Sequence, residues 1–171
     1  MARLTLTCIG DDRPGLVSAL AAAVNAHEAS WERSQMARLA GKFAGILMVV
    51  VADERADALA ADLRALTDIG LHVTLEQTGP APPHESLRLT LELLGADHPG
   101  IVAEISTCLA ERGVGVEELT TDVRAAPMAG GMLFEASAVL EAPPGTDREG
   151  LRSTLEALAD ELMVEIRLSE A

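Results

Sequence analysis

One phrase of this chain is written twice. Gly10-Asp11-Asp12-Arg13-Pro14-Gly15 returns 85 residues later as Gly95-Ala96-Asp97-His98-Pro99-Gly100. The flanks return with it. Leu4-Thr5-Leu6-Thr7-Cys8-Ile9 precedes the first copy, and Leu89-Thr90-Leu91-Glu92-Leu93-Leu94 precedes the second. Leu16, Val17, Leu20 and Val24 follow one copy; Ile101, Val102, Ile105 and Leu109 follow the other at the same spacing. A strand, a loop and a helix built twice imply two similar modules. They also make the loop the first place to look for function.

A chain of 171 residues is enough for two small domains. Hydrophobic residues make up 49%, so each module can bury a core, yet aromatics are only 2% and the cores must be aliphatic. Trp31, Phe43 and Phe134 are the whole aromatic set, too few to stack bases or sugars. The formal charge is −14 and repels a phosphate backbone, which Lys and Arg would have to neutralise. Direct nucleic-acid binding is therefore not expected; a basic protein partner or a small ligand is. Two cysteines at non-equivalent positions, Cys8 and Cys108, give no disulfide framework and fit a reducing compartment. The first residues lack a basic segment followed by an apolar run, and no apolar run reaches membrane-spanning length. The expectation is a cytoplasmic protein without membrane contact.

Each half reads as strand, helix, strand, strand, helix, strand. In the first half Arg3–Ile9 is the expected opening strand. Asp12 is the expected N-cap, with Pro14 in the first helical turn. Leu16, Leu20 and Val24 share one helical face. Trp31–Leu39 is extended, Ala40-Gly41-Lys42 turns, and Phe43–Ala52 suits a central strand. Leu59, Leu63 and Leu66 mark a second helix, and His72–Gln77 closes the unit. The second half repeats the order: strand Leu87–Leu94, helix Pro99–Arg112, strand Val114–Arg124. The apolar parity of that last strand shifts between Val116 and Leu119, which suits a bulge. Alternation from Met132 to Leu140 gives the next strand. Thr146 and Glu149 have capping-box spacing before a helix faced by Leu151, Leu155, Leu158 and Leu162. Val164, Ile166 and Leu168 alternate along the final strand. The expected domains are 1–78 and 87–171, joined by a stiff Pro-rich linker over 79–86. The fold class is α+β: two ferredoxin-like βαββαβ units in tandem, each an antiparallel sheet with helices on one face.

The loop has a chemistry of its own. Gly10 and Gly95 can take positive φ and turn the chain out of the strand. Gly15 and Gly100 remove a side chain at the first helical turn, so a ligand can approach backbone N–H groups. Those groups and the helix dipole attract a carboxylate, and Asp12 or Asp97 could cap the helix or receive an ammonium. Amide donors beside a carboxylate suit an α-amino acid. The same pattern is also an ordinary way to begin a helix, and both readings stand. Arg13 in one loop matches His98 in the other, so two binding loops need not bind the same thing.

Gly-x-Asp-x-Pro-Gly between an apolar strand and an apolar-faced helix resembles the ACT domain. Two copies with a short Pro-rich linker resemble the glycine cleavage system transcriptional repressor family. Ser30-Trp31-Glu32-Arg33-Ser34-Gln35-Met36-Ala37-Arg38-Leu39-Ala40-Gly41-Lys42-Phe43 is similar to that family's second strand, turn and start of strand three. The resemblance implies a cytosolic, dimeric regulator that senses a small amino acid, glycine being one candidate. It would act on a transcription activator by protein contact. It places ligand residues at Asp12, Pro14, Gly15 and Leu16, and at Asp97, Pro99, Gly100 and Ile101, with Arg13 and His98 as the variable loop positions. Amino-acid-binding ACT domains often carry Asn at the start of strand two; Ser30 and Gly115 stand there in this chain.

Other constellations are bland. His27, His72, His84 and His98 share no metal-ligand spacing, and Cys8 reads as a small buried residue rather than a nucleophile. No nucleophile–base set, metal set or cofactor motif is expected. Two further readings stay open: a detached regulatory subunit of an amino-acid metabolic enzyme, and a small enzyme on a ferredoxin-like scaffold.

Overall fold

A computed structural model of the chain describes residues 1–79, 85–127 and 130–170. The chain divides into two compact units, Met1–Pro82 and Pro83–Ala171. Most of the Pro-rich segment expected as a linker, and His84 with it, lies outside the described residues.

In the first unit β1 (Ala2–Asp11), α1 (Leu16–Ala26), β2 (Ser30–Leu39), β3 (Lys42–Val51), α2 (Ala56–Ala65) and β4 (Leu71–Gln77) follow in order. The second unit repeats them as β5 (Leu87–Ala96), α3 (Ile101–Glu111), β6 (Gly115–Ala125), β7 (Met132–Ala142), α4 (Arg148–Leu162) and β8 (Val164–Glu170). The sheets are antiparallel and four-stranded, ordered β2-β3-β1-β4 and β6-β7-β5-β8. The expected α+β, βαββαβ architecture is what the chain adopts in both halves.

Alternation explains the cores. Leu4, Leu6 and Cys8 point to the helix side of the first sheet, where Leu16, Leu20 and Val24 from α1 and Leu59 and Leu63 from α2 meet them. Leu89, Leu91 and Leu93 do the same in the second, against Ile101, Ile105 and Leu109 and against Leu151 and Leu155. Full burial of one such side chain is worth about 1.5–3 kcal/mol. The bulge expected in β6 sits at Val116/Glu118. Its twin in β2, at Trp31/Arg33, has no parity break to announce it. The β2–β3 turn is a two-residue loop, with Ala40 and Gly41 both at positive φ, as the twist of a hairpin prefers.

Three local expectations need correction. Asp12 does not cap α1. Gly15 is the N-cap in the left-handed region and no side chain bonds the helix start; Gly100 does the same for α3. Pro14 and Pro99 therefore precede the helices. The roles of the glycines are exchanged as well. Gly15 and Gly100 carry the positive φ, 97° and 100°, whereas Gly10 and Gly95 remain in their strands. What Gly10 and Gly95 provide is close approach. A Cβ on Gly10 would run into the Gly70 carbonyl, and one on Gly95 would lie 2.5 Å from Val164 Cγ1. Finally, Asp147 rather than Thr146 caps α4, accepting from the Gly150 N–H at 3.0 Å. The Thr146 hydroxyl instead donates to the Pro143 carbonyl at 2.7 Å.

Two sets of variants check this assignment in urea denaturation. Gly15→Ala and Gly100→Ala should each cost about 1–2 kcal/mol from left-handed strain. Gly10→Ala and Gly95→Ala should cost more, about 2–3 kcal/mol, because packed backbone must shift. The reverse order would contradict the exchanged roles. Asp147→Ala should cost about 0.5–2 kcal/mol as a lost cap, and Thr146→Ala less.

Candidate functional site

The loop after the first strand of each unit is held from two sides. Its Asp N–H is tied to the neighbouring hairpin: Asp12 donates to the Gly41 carbonyl and Asp97 to the Met132 carbonyl, both at 2.9 Å. Its next residue is tied to the end of the second helical segment. The Arg13 guanidinium donates to the Ile69 carbonyl, and His98 Nε2 lies 2.9 Å from the Leu162 carbonyl oxygen. Those carbonyls are equivalent. Gly10 pairs with Leu71 and Gly95 with Val164, so Ile69 and Leu162 each stand two residues before the paired position. A cation at a helix C-terminus also meets the negative end of the dipole. Arg13 and His98, candidates for ligand contact, thus brace the fold.

This bracing frees the helix start. With Gly15 and Gly100 as N-caps, no side chain among the described residues satisfies the first-turn N–H groups that follow, at Leu16 and Ile101 onward. The result is an uncapped, positively polarised helix end beside a loop carboxylate, twice over. Asp12, Pro14 and Gly15 are exposed around one end, and Asp97, Pro99 and Gly100 around the other; Leu16 and Ile101 anchor the helices in the core.

The two loops differ in charge. In the first, Asp12 faces Arg38 at 3.5 Å and Asp11 pairs with Lys42 across the sheet, which holds the Asp11 carboxyl below its ordinary range. Val123 and Leu133 occupy the positions of Arg38 and Lys42 in the second unit, and Ala96 that of Asp11. Asp97 forms no side-chain hydrogen bond or salt bridge among the described residues, and α3 carries Glu104 in its first turn. The first helix end thus suits an anion, and the second loop suits an ammonium.

Ser30 is not part of this constellation. It pairs with Val50, at the end of the sheet away from the Leu39–Lys42 turn that holds the loop. No single unit gathers Ser30 with Asp12–Leu16. Elsewhere, Cys8 is buried in the core, and that burial pushes its thiol pKa up. Among the described residues no group of three or more His, Cys, Asp or Glu could hold a metal. No helix there is long and apolar enough to cross a membrane. Sequence reasoning missed the paired braces, because a residue facing a distant carbonyl leaves no local pattern.

The ACT domain family profile matches residues 2–76 and again 88–169. The chain belongs to the ACT domain family. Among solved structures it is similar to a protein of unknown role from Galdieria sulphuraria, with 27% identity, TM-score 0.88, and coverage of 99% of this chain and 98% of that one. It is also similar in fold to a protein assigned provisionally as a glycine cleavage system transcriptional repressor, with 18% identity, TM-score 0.73, and coverage of 98% and 96%. No curated protein matches the chain.

His98 supplies a test of the brace. Its Nδ1 lies 3.1 Å from the Pro99 carbonyl oxygen, so both ring nitrogens face acceptors and the imidazolium is the satisfied form. The Leu162 carbonyl first, then that of Pro99, with Asp97 and Glu104 nearby, raise its pKa. A raised folded pKa contributes stability that is fully present below the unfolded value near 6.5 and is lost as pH rises through the folded value. NMR titration of the His98 ring should give a midpoint above the ordinary one. The stability of the chain should fall through that window, and His98→Arg should flatten the fall. A His98 titration at or below the ordinary value would contradict the brace.

Proposed function

We propose that this ACT-domain protein is a non-enzymatic regulator that senses a small amino acid and passes the signal on by protein contact. The observation that carries the reading is the duplicated helix end, uncapped and flanked by a carboxylate. Its amides suit the carboxylate of a zwitterion and its Asp the ammonium. The ligand residues of this reading are Asp12, Pro14, Gly15 and Leu16 in one unit and Asp97, Pro99, Gly100 and Ile101 in the other. Arg13 and His98 act behind them by fixing the loop.

Further support comes from charge. A net −14 disfavours a direct grip on DNA, so a repressor-like role would run through a protein partner such as a transcription activator. Fold likeness to the provisionally assigned glycine cleavage repressor favours that role and makes glycine a natural first ligand to try. Each sheet also has two outer strands, β2 and β4 or β6 and β8. Such edges can pair, which supports a homodimer. Cytoplasmic residence completes the proposal.

Ligand binding can alter a partner contact only through different affinity for two states. The first requirement is therefore binding. In thermal denaturation against a panel of amino acids, one small amino acid should raise the melting temperature by several degrees. A ligand at about 100-fold over its Kd adds about 2.7 kcal/mol. Asp97→Ala or Asp12→Ala should remove the shift. No response to any amino acid, or catalytic turnover by the isolated chain, would contradict the reading. Capture from native cytosol then separates partners: a transcription factor fits this role, a metabolic enzyme the regulatory-subunit alternative.

A further inference from the structure

The two units share a backbone plan but fill one space differently. In the second unit the inner side of β6 is incompletely covered, and Val116, Leu119 and Val123 stay exposed. Between α3 and β6 lies a small apolar cavity, open to solvent on one side and walled by Leu93, Ile105, Val116, Leu119, Phe134 and Ala138 among others. Ser106 is the one polar side chain on its wall, and that hydroxyl already donates to the Ala103 carbonyl at 3.1 Å. A buried water needs two to four polar partners, so a space lined in this way favours apolar contents.

The first unit shows what such a space accepts. Sheet registers equate Trp31 with Val116, Met36 with Thr121 and Leu47 with Ala138. Leu47 is fully buried, and Trp31 and Met36 pack against the core. Met36 lies so close over Gly45 that a Cβ there would be 2.6 Å from Met36 Cγ. The Leu47-to-Ala138 exchange alone omits an isopropyl group. Changes in the other direction, Ser34 to Leu119 and Gly45 to Ala136, leave the cavity open. An unfilled cavity of this kind costs stability that the first unit does not forgo.

We propose that this cavity is a ligand site of the second unit, without a counterpart in the first, and that it takes a compact branched aliphatic group carried by a small charged metabolite. Ile101 and Val102 line the cavity and directly follow Gly100. A group seated there keeps its polar end at the loop, next to the Asp97 carboxylate. That placement of the polar end rests on the amino-acid reading above; the apolar site does not. The same group occurs on a free branched amino acid and on a short branched carboxylic acid, and the test separates them.

Methyl-labelled full-length protein is titrated with glycine, L-valine, L-leucine, isovalerate and isobutanol. Valine or leucine should shift the methyls of Ile105, Leu119 and Ala138, and glycine should not. Ala138→Leu and Val116→Trp place on the cavity wall the residues that pack the first unit, Leu47 and Trp31. Each should weaken aliphatic binding by roughly tenfold or more while the melting temperature holds or rises. The two variants act independently, so one that fails to fold leaves the other decisive. The proposal is overturned if no aliphatic compound moves the cavity methyls, or if binding survives both fillings. Isovalerate and isobutanol binding as well as leucine, with Asp97→Ala silent, would support the cavity and remove the loop as a zwitterion site. Glycine shifting only loop amides, with every aliphatic compound absent from the cavity, would keep the loop and overturn this inference.

Discussion

Each unit depends on a chain crossing that only glycine permits. Gly10 and Gly95 let the last strand begin directly against the first, where any side chain would strike the Gly70 carbonyl or Val164. That approach brings the Ile69 and Leu162 carbonyls beside the loop, within reach of Arg13 and His98. The loop is then fixed by the hairpin on one side and by a helix end on the other. Held in this way, it can enter its helix through a left-handed glycine without a capping side chain. The free first-turn amides are thus a consequence of how the sheet closes.

Duplication preserved the crossing and released what surrounds it. The first loop neutralises its acids with Arg38 and Lys42, while the second replaces both cations with Val123 and Leu133. The first brace is an arginine, and the second is a histidine that titrates. The first unit packs Trp31, Met36 and Leu47 where the second leaves space. The brace survives its exchange, while the cation pairs and the filled interior do not. The second unit is left with fewer charge pairs at its loop, a histidine brace and a less filled interior.

Much of this was legible in the sequence, for identifiable reasons. Alternation in β1 and β5 and helical spacing in α1 and α3 report burial directly, so the order of elements and the cores follow. The β6 bulge was readable because Val116 and Leu119 break parity; the β2 bulge was not, because Trp31 and Ser34 break none that polarity can show. Capping misled at Asp12 and Thr146. A short polar side chain before a helix is a good local signal, but Gly15 and Asp147 had the positions that the backbone required. The glycine roles were interchanged because sequence shows that a side chain is absent and not whether φ or a neighbour demands it. The loop was found because it repeats. The braces and the cavity depend on residues distant in the chain, and only the fold brings them together.

If a small amino acid is received at the uncapped helix starts, their backbone amides must sense it first. Backbone amide spectra of the full chain, recorded across an amino-acid titration, test this most directly. Saturable shifts should be largest at the amides of residues 15–18 or 100–103, whichever unit binds. Saturable shifts confined to other segments, with those amides unmoved, would contradict reception at the helix starts.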